Sequence, residues 1–269
     1  MIRWEECCDV LVIGAGAAGM TAALRAHDLG LDTLLIDKDD RYGGASAQYS
    51  GTLWLPEHGR AMLEYLERDT RARFAAQAPR PFDGAALGEE LLRLRAPSPG
   101  TLLMGRMAMT LEETRVLLHR SKGWLGLAAK VSWRYWRDLE GRKASRRDRF
   151  LTQGNALVGA LRCSLSDRRV PLWLNCRLDQ LLIVGDRLCG ARVLRDGQWL
   201  NIKARLGVIL ASRQCQAHAA MHPGVPGLYA IGAGTTLGPA MTFGYLAANH
   251  IRGNSQQRQG EFTLALTGR

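Results

Sequence analysis

No two of the six cysteines in this sequence (Cys7, Cys8, Cys163, Cys176, Cys189 and Cys215) stand as a Cys-x-x-Cys pair. That removes the usual zinc-ribbon and dithiol-redox spacings, and reduced thiols in a cytoplasmic protein are the expectation. No secretory signal is expected in the opening residues, because Glu5, Glu6 and Asp9 stand where one carries lysine or arginine. Charge is absent altogether from Gln214 to Ile251. Glycines and prolines between Pro223 and Pro239 break that run, so it does not read as one lipid-facing helix.

Positive charge is in excess. Thirty-six lysines and arginines face 25 acids, a formal net charge of +11. Such a balance raises nucleic acid as a partner. The basic residues are nevertheless spread along the chain and mixed with acids, and no nucleic acid is expected. The one dense block, WRYWRDLEGRKASRRDR at 133–149, reads as a solvated helix end and loop. With Trp124, Trp133, Tyr135 and Trp136 interleaved, a peripheral membrane contact through 124–149 is the alternative.

The strongest signal opens the chain: CDVLVIGAGAAGMTAALRAHDLGLDTLLIDKD. Val10 to Ile13 is a buried strand by its unbroken aliphatic run. Gly14, Gly16 and Gly19 lead into an alanine-rich helix that Gly30 ends, and Thr33 to Ile36 forms the next strand. Asp37 sits at that strand's tip. This register suits a dinucleotide. Gly14 allows the tight turn, Gly16 lets the backbone approach a diphosphate, Gly19 lets helix and strand pack closely, and Asp37 can accept from a ribose diol. Ala17 and Ala18 open the helix whose free N–H groups face the phosphates. Gly43-Gly44-Ala45-Ser46, soon after Asp37-Lys38, offers a second close-approach loop. That sequel favours FAD over NAD.

DVLVIGAGAAGMTAAL, the D-K-x-x-x-x-GG-x-S-A pattern from Asp37 and the SGTLWLP turn resemble FAD-binding oxidoreductases related to fumarate reductase flavoproteins, and most of all the 3-ketosteroid dehydrogenases. LTQGNALVGALRCSLSDRRVPLWLNCRLDQLLI, GDRLCGARVLRDGQWLNIKARLGVILA and GLYAIGAGTTLGPAMTFGYLAANHI are similar to later stretches of the same family. The resemblance implies a Rossmann-like three-layer α/β FAD-binding domain with a β-meander and a helical insertion. It implies a discontinuous FAD domain of 1–56 plus 151–251, an insertion at 57–150 and a polar tail at 252–269. It also implies non-covalent FAD, since Ala47-Gln48 follow Ser46 where a covalently flavinylated branch has histidine. Leu237, Gly238, Pro239 and Ala240 would lie beside the flavin, and the substrate would be a bulky apolar ketone of steroid type.

The pattern is interrupted in three places. Ala211 is followed by Ser212-Arg213-Gln214-Cys215 where the family has an Ala-Gly-Gly-Phe turn and then a long substrate domain. The stretch to Val225 therefore reads as a bridge over a missing domain, whose loss a partner chain could cover. The family's Tyr-Pro-Gly-x-Gly segment is Ile231-Gly232-Ala233-Gly234, so only Gly234 keeps its place as a carbonyl-binding N–H. Residues 57–80 read as one charged amphipathic helix whose single tyrosine, Tyr65, is not expected to be catalytic. A shortened FAD-binding protein without turnover is the rival to an active dehydrogenase.

Among the remaining residues, Cys215, His218 and His222 share a helical spacing but lack a fourth ligand, and read as linker. His27 is expected at a surface or helix edge, and Tyr49 either over the flavin or, by preference, packed against the sheet. Met104, Met107, Met109, Leu111, Leu117 and Leu118 form an apolar set that is either core or channel lining. Thr110 and Glu113 fit a capping box. The strands Leu178–Val184, Leu188–Leu194 and Trp199–Ala204 are expected to form the meander, with turns at Gly185-Asp186 and Asp196-Gly197, and VILA to form a separate core strand.

Overall fold

The computed structural model describes residues 2–55, 59–76, 78–211, 225–231 and 236–267. Its centre is β1 (Glu6–Ile13), whose last four residues are fully buried because both faces of the sheet are covered. β2 (Thr33–Ile36) lies parallel on one side, with Val10 opposite Thr33 and Ile13 opposite Ile36. β3 (Leu172–Trp173) extends that edge. β4 (Cys176–Val184), β5 (Arg187–Arg195) and β6 (Gln198–Leu210) follow as an antiparallel meander. β6 then runs on beside β1, pairing Val10 with Gly207 and Ile13 with Leu210. β7 (Leu228–Ala230) joins β6 in parallel.

The expected separation of Trp199–Ala204 from the core strand is thus corrected, because β6 is one strand of 13 residues. No turn residue interrupts it. Gly207, the only glycine within it, is where a Cβ would come within 3.0 Å of the Gly227 carbonyl. At the β5–β6 hairpin, Asp196 (φ 48°) and Gly197 (φ 79°) supply the paired positive φ angles that a two-residue loop uses.

Alternation along the strands sorts the core into two layers. Val10, Val12, Leu35 and Ile209 face the helices, whereas Leu11, Ile13, Leu34, Ile36 and Val208 face the meander residues Leu188, Ala191 and Val193. Each such buried aliphatic side chain contributes about 1.5–3 kcal/mol. On the helical side, α1 (Ala17–Asp28) packs against α6 (Gln153–Asp167) and α7 (Leu237–Thr267). The α1–α7 crossing is close because Gly244 has no Cβ to strike the Ala18 carbonyl, 2.6 Å from where one would sit. Helices, parallel sheet and meander form the expected three layers.

One length expectation is corrected. The helix within 57–80 is α2 (Gly59–Asp69) only. The Thr70 hydroxyl turns back to the Leu66 carbonyl, and the Arg71 N–H donates to Ser164 Oγ of α6 at 2.8 Å instead of continuing the helix. At the other end the polar stretch from 252 is part of α7. The helix continues to Thr267 with Ile251 and Ser255 buried, and no proline follows Pro239 to stop it.

The inserted segment also carries α3 (Leu111–Leu118), α4 (Trp124–Arg137) and α5 (Leu139–Ala144). The capping box forms: Thr110 Oγ1 accepts the Glu113 N–H at 3.1 Å, and Glu113 Oε2 accepts the Thr110 N–H at 2.9 Å. Met107 and Met109 enter a small core with Val131 and Tyr135, while Met104 and Leu118 are exposed, so the apolar methionine set divides. Among the described residues no helix is long and apolar enough to cross a membrane.

Candidate cofactor site

β1 delivers the chain to Gly14, whose φ of 114° favours glycine and where a Cβ would lie 2.8 Å from the Ala211 carbonyl. At Gly19 a Cβ would meet the Gly14 carbonyl at 1.9 Å, so the helix can leave the strand this closely only with glycine there. Gly16 differs. A Cβ there would meet no atom nearer than Ser46 Oγ at 3.4 Å, so protein packing does not require its glycine. It caps α1 without a side-chain bond, and the first turn contains no acid. The positive end of the helix is therefore left uncompensated by carboxylates of its own turn.

The second glycine loop lies against the first. The Gly43 N–H donates to the Ala15 carbonyl at 2.8 Å, and Gly16 and Gly43 form an isolated parallel bridge. Gly43 (φ 105°) and Gly44 (φ 52°) then turn the chain into a short 3-10 helix, Gly44–Gln48. Ser46 Oγ accepts the Ala17 N–H at 3.1 Å. Asp37 completes the group from the end of β2: one carboxylate oxygen accepts the Ala15 N–H at 2.6 Å, the other the Asp39 N–H at 3.1 Å. Burial, the largest influence, raises its pKa against those two hydrogen bonds. Lys38 beside it is exposed.

At the far end, the first turn of α7 holds Leu237, Gly238, Pro239 and Ala240. A Cβ on Gly238 would overlap the Trp54 carbonyl at 1.9 Å, which seats this turn on the SGTLWLP segment. The structure thus gathers Gly14–Gly19, Asp37 and Gly43–Ser46 directly, and sets Leu237–Ala240 on the same helical layer as α1. Gly234 lies outside the described residues, as do Cys215, His218, His222 and the bridge at 212–224.

Tyr49 is 51% exposed, which corrects its expected packing against the sheet. The α6 N-terminus meets the loop through backbone: the Gly154 N–H donates to the Tyr49 carbonyl, and a Cβ on Gly154 would lie 2.0 Å from the Ser46 carbonyl. His27 is half-buried at the end of α1, as expected. Tyr65 is no free base, since its hydroxyl is buried and donates to Asp28 at 2.7 Å. Burial pushes the thiols of Cys8 up to about 12 and Cys176 to about 11, so neither is a ready nucleophile. Among the described residues no cluster of histidine, cysteine and carboxylate could hold a metal.

Sequence reasoning missed three residues of this region: Arg147, Gly154 and Asn155. Asn155 Nδ2 donates to the Ala47 carbonyl at 2.6 Å, and its Oδ1 accepts Arg147 Nη2 at 2.8 Å. The signal for Gly154 was present in LTQGNAL, where a glycine opens an apolar helix. Nothing in the spacing points to Arg147, which sat within a block read as solvated.

The family profile described as FAD binding domain matches residues 9–254. The chain belongs to that FAD-binding family. It is similar to the 3-oxosteroid 1-dehydrogenase of Comamonas testosteroni, 28% identical over 267 residues, covering 77% of this chain and 47% of that protein. The 4-oxocyclohex-2-ene-1-carboxylate 5-dehydrogenase of Sinomonas cyclohexanicum is 25% identical over 264 residues, covering 76% and 44%. The crystal structure of a 3-ketosteroid delta1-dehydrogenase from Sterolibacterium denitrificans, in complex with 1,4-androstadiene-3,17-dione, aligns with a TM-score of 0.70 and 33% identity over 80% of this chain and 48% of that one. The chain spans about half the length of these relatives.

The residues fit FAD. A helix start whose N-cap glycine brings no capping side chain, a glycine with room beside it and a buried carboxylate with spare lone pairs form a donor and acceptor set for a diphosphate and a ribose.

Proposed function

We propose that the chain binds FAD non-covalently and serves as the cofactor half of an oxidoreductase acting on a bulky apolar ketone of steroid type. Gly14, Gly16, Ala17, Ala18 and Gly19 line the diphosphate, and Asp37 accepts from the ribose with Lys38 beside it. Gly43, Gly44, Ala45 and Ser46 run along the diphosphate toward the ring. Leu237, Gly238, Pro239 and Ala240 present the α7 N-terminus to the pyrimidine edge, where that helix end favours negative charge. Bound flavin supplies a hydride acceptor at N5 for a substrate carbon next to a ketone-activated position. Gly234 N–H is assigned to the ketone oxygen.

The observation that carries this reading is the Gly16–Gly43 bridge with Asp37 bonded to Ala15 beneath it. In this scheme 1–56 and 151–251 form the FAD unit and 57–150 the substrate side. The test is anaerobic titration of flavin-loaded protein with a 3-ketosteroid. Bleaching of the flavin supports turnover by this chain. An unchanged flavin band leaves a FAD-binding protein without turnover.

We further infer a lipid contact on α4. Leu125, Trp133 and Trp136 are exposed on one side of that helix, next to exposed Lys130 and Arg137. Apolar wedges ringed by cations suit an anionic membrane surface. Co-sedimentation with phosphatidylserine vesicles that weakens with salt and with Trp133→Ser/Trp136→Ser is the expected result. Self-association in place of vesicle binding assigns the face to a partner chain.

A further inference from the structure

Arg147 is a half-buried cation that makes no ion pair among the described residues. Its guanidinium donates to the Leu94 carbonyl, to the Arg95 carbonyl at 3.1 Å and to Asn155 Oδ1 at 2.8 Å, all neutral acceptors. Burial holds it below the usual arginine range, down to about 10. Drawing a cation part-way out of water is costly, and three directed hydrogen bonds to neutral acceptors offset that cost only while the acceptors stay in place.

Its partners have one thing in common. Leu94 and Arg95 flank Tyr42, which donates its N–H to the Arg93 carbonyl at 2.9 Å and accepts the Arg95 N–H at 2.9 Å. Tyr42 immediately precedes Gly43. Asn155, 3% exposed, donates to the Ala47 carbonyl, and Ala47 closes the loop by donating its N–H to the Gly43 carbonyl at 3.1 Å. One guanidinium therefore reaches both ends of the Tyr42–Ala47 loop, each through a single intermediary. The Asn155 amide has only one orientation that serves both neighbours, because arginine only donates and a carbonyl only accepts.

We propose that Arg147 is a positioning residue that latches segment 84–95 and the α6 N-terminus onto the Gly43–Ser46 loop, coupling FAD binding to the order of the inserted segment. The proposal rests on FAD occupying that loop. Linkage makes the coupling reciprocal: a latch that holds the loop for FAD is itself held by FAD. The inserted segment then senses whether cofactor is present.

A double-mutant cycle on the full chain tests this, with FAD dissociation constants from flavin fluorescence and folding checked by circular dichroism. Arg147→Met and Asn155→Leu should each weaken FAD binding about tenfold, with the double variant no worse than the weaker single. FAD should slow hydrogen exchange over 84–95 in the wild type and not in Arg147→Met. If Arg147→Met does not fold, Asn155→Asp keeps an acceptor for Arg147 but loses the donor to Ala47, and should still weaken FAD. Independent, multiplying losses, or unchanged affinity in a folded variant, overturn the latch while leaving FAD binding intact. A wild type that binds no FAD overturns both.

Discussion

The Gly43 N–H meets the Ala15 carbonyl at 2.8 Å, so two glycine loops separated by almost thirty residues form one continuous backbone surface. Everything assigned to the cofactor depends on that junction. It is the point where the α1 N-terminus, Asp37 and Ser46 converge.

The glycines of the first loop should separate by substitution. Gly14→Ala forces a side chain into a φ of 114° and into the Ala211 carbonyl, and should cost about 1–3 kcal/mol of stability. Gly16→Ala has room in the protein and should fold with an almost unchanged melting temperature, yet bind FAD less tightly. Thermal melts of both variants, with and without FAD, check the contrast.

Asp37 should give FAD binding a pH dependence. Burial raises its pKa in the free protein, whereas a ribose hydroxyl donating to the carboxylate favours the charged form. Binding then releases a proton, so affinity rises with pH through the raised Asp37 pKa and weakens on acidification before an ordinary aspartate would protonate. Asp37→Asn should flatten this profile in FAD titrations across the acid range.

Asp138 should contribute to acid stability. Arg149 beside it, aided by the Gly141 N–H and Arg142, lowers its pKa to about 2. A depressed folded value means that the contribution is complete above the unfolded aspartate pKa and is lost as pH falls toward 2. Asp138→Asn should reduce the melting temperature at pH 7 and narrow its gap to the wild type near pH 2.

Tyr65→Phe should reveal a structural tyrosine. Losing its bond to Asp28 should cost about 1–2 kcal/mol in a denaturant melt and leave FAD affinity unchanged.

The FAD half was legible because its chemistry is local. The strand, the glycines and Asp37 lie within one stretch, and backbone sterics fix what each must do. The meander was legible from turn residues such as Asp196-Gly197, although no turn marked the assumed end of the strand at Ala204. Length was harder to read. α2 ends where the Thr70 hydroxyl turns back to Leu66 and the Arg71 N–H donates to Ser164, 93 positions away, and neither is a periodic signal. Arg147 is the clearest loss: a charged residue among charged residues reads as solvated until the fold places Leu94 and Asn155 around it.

The most direct test is the visible absorption spectrum of the purified chain, with flavin released by denaturation and counted per chain. This account predicts close to one FAD per chain after incubation with the cofactor. A folded chain that stays colourless in excess FAD contradicts it.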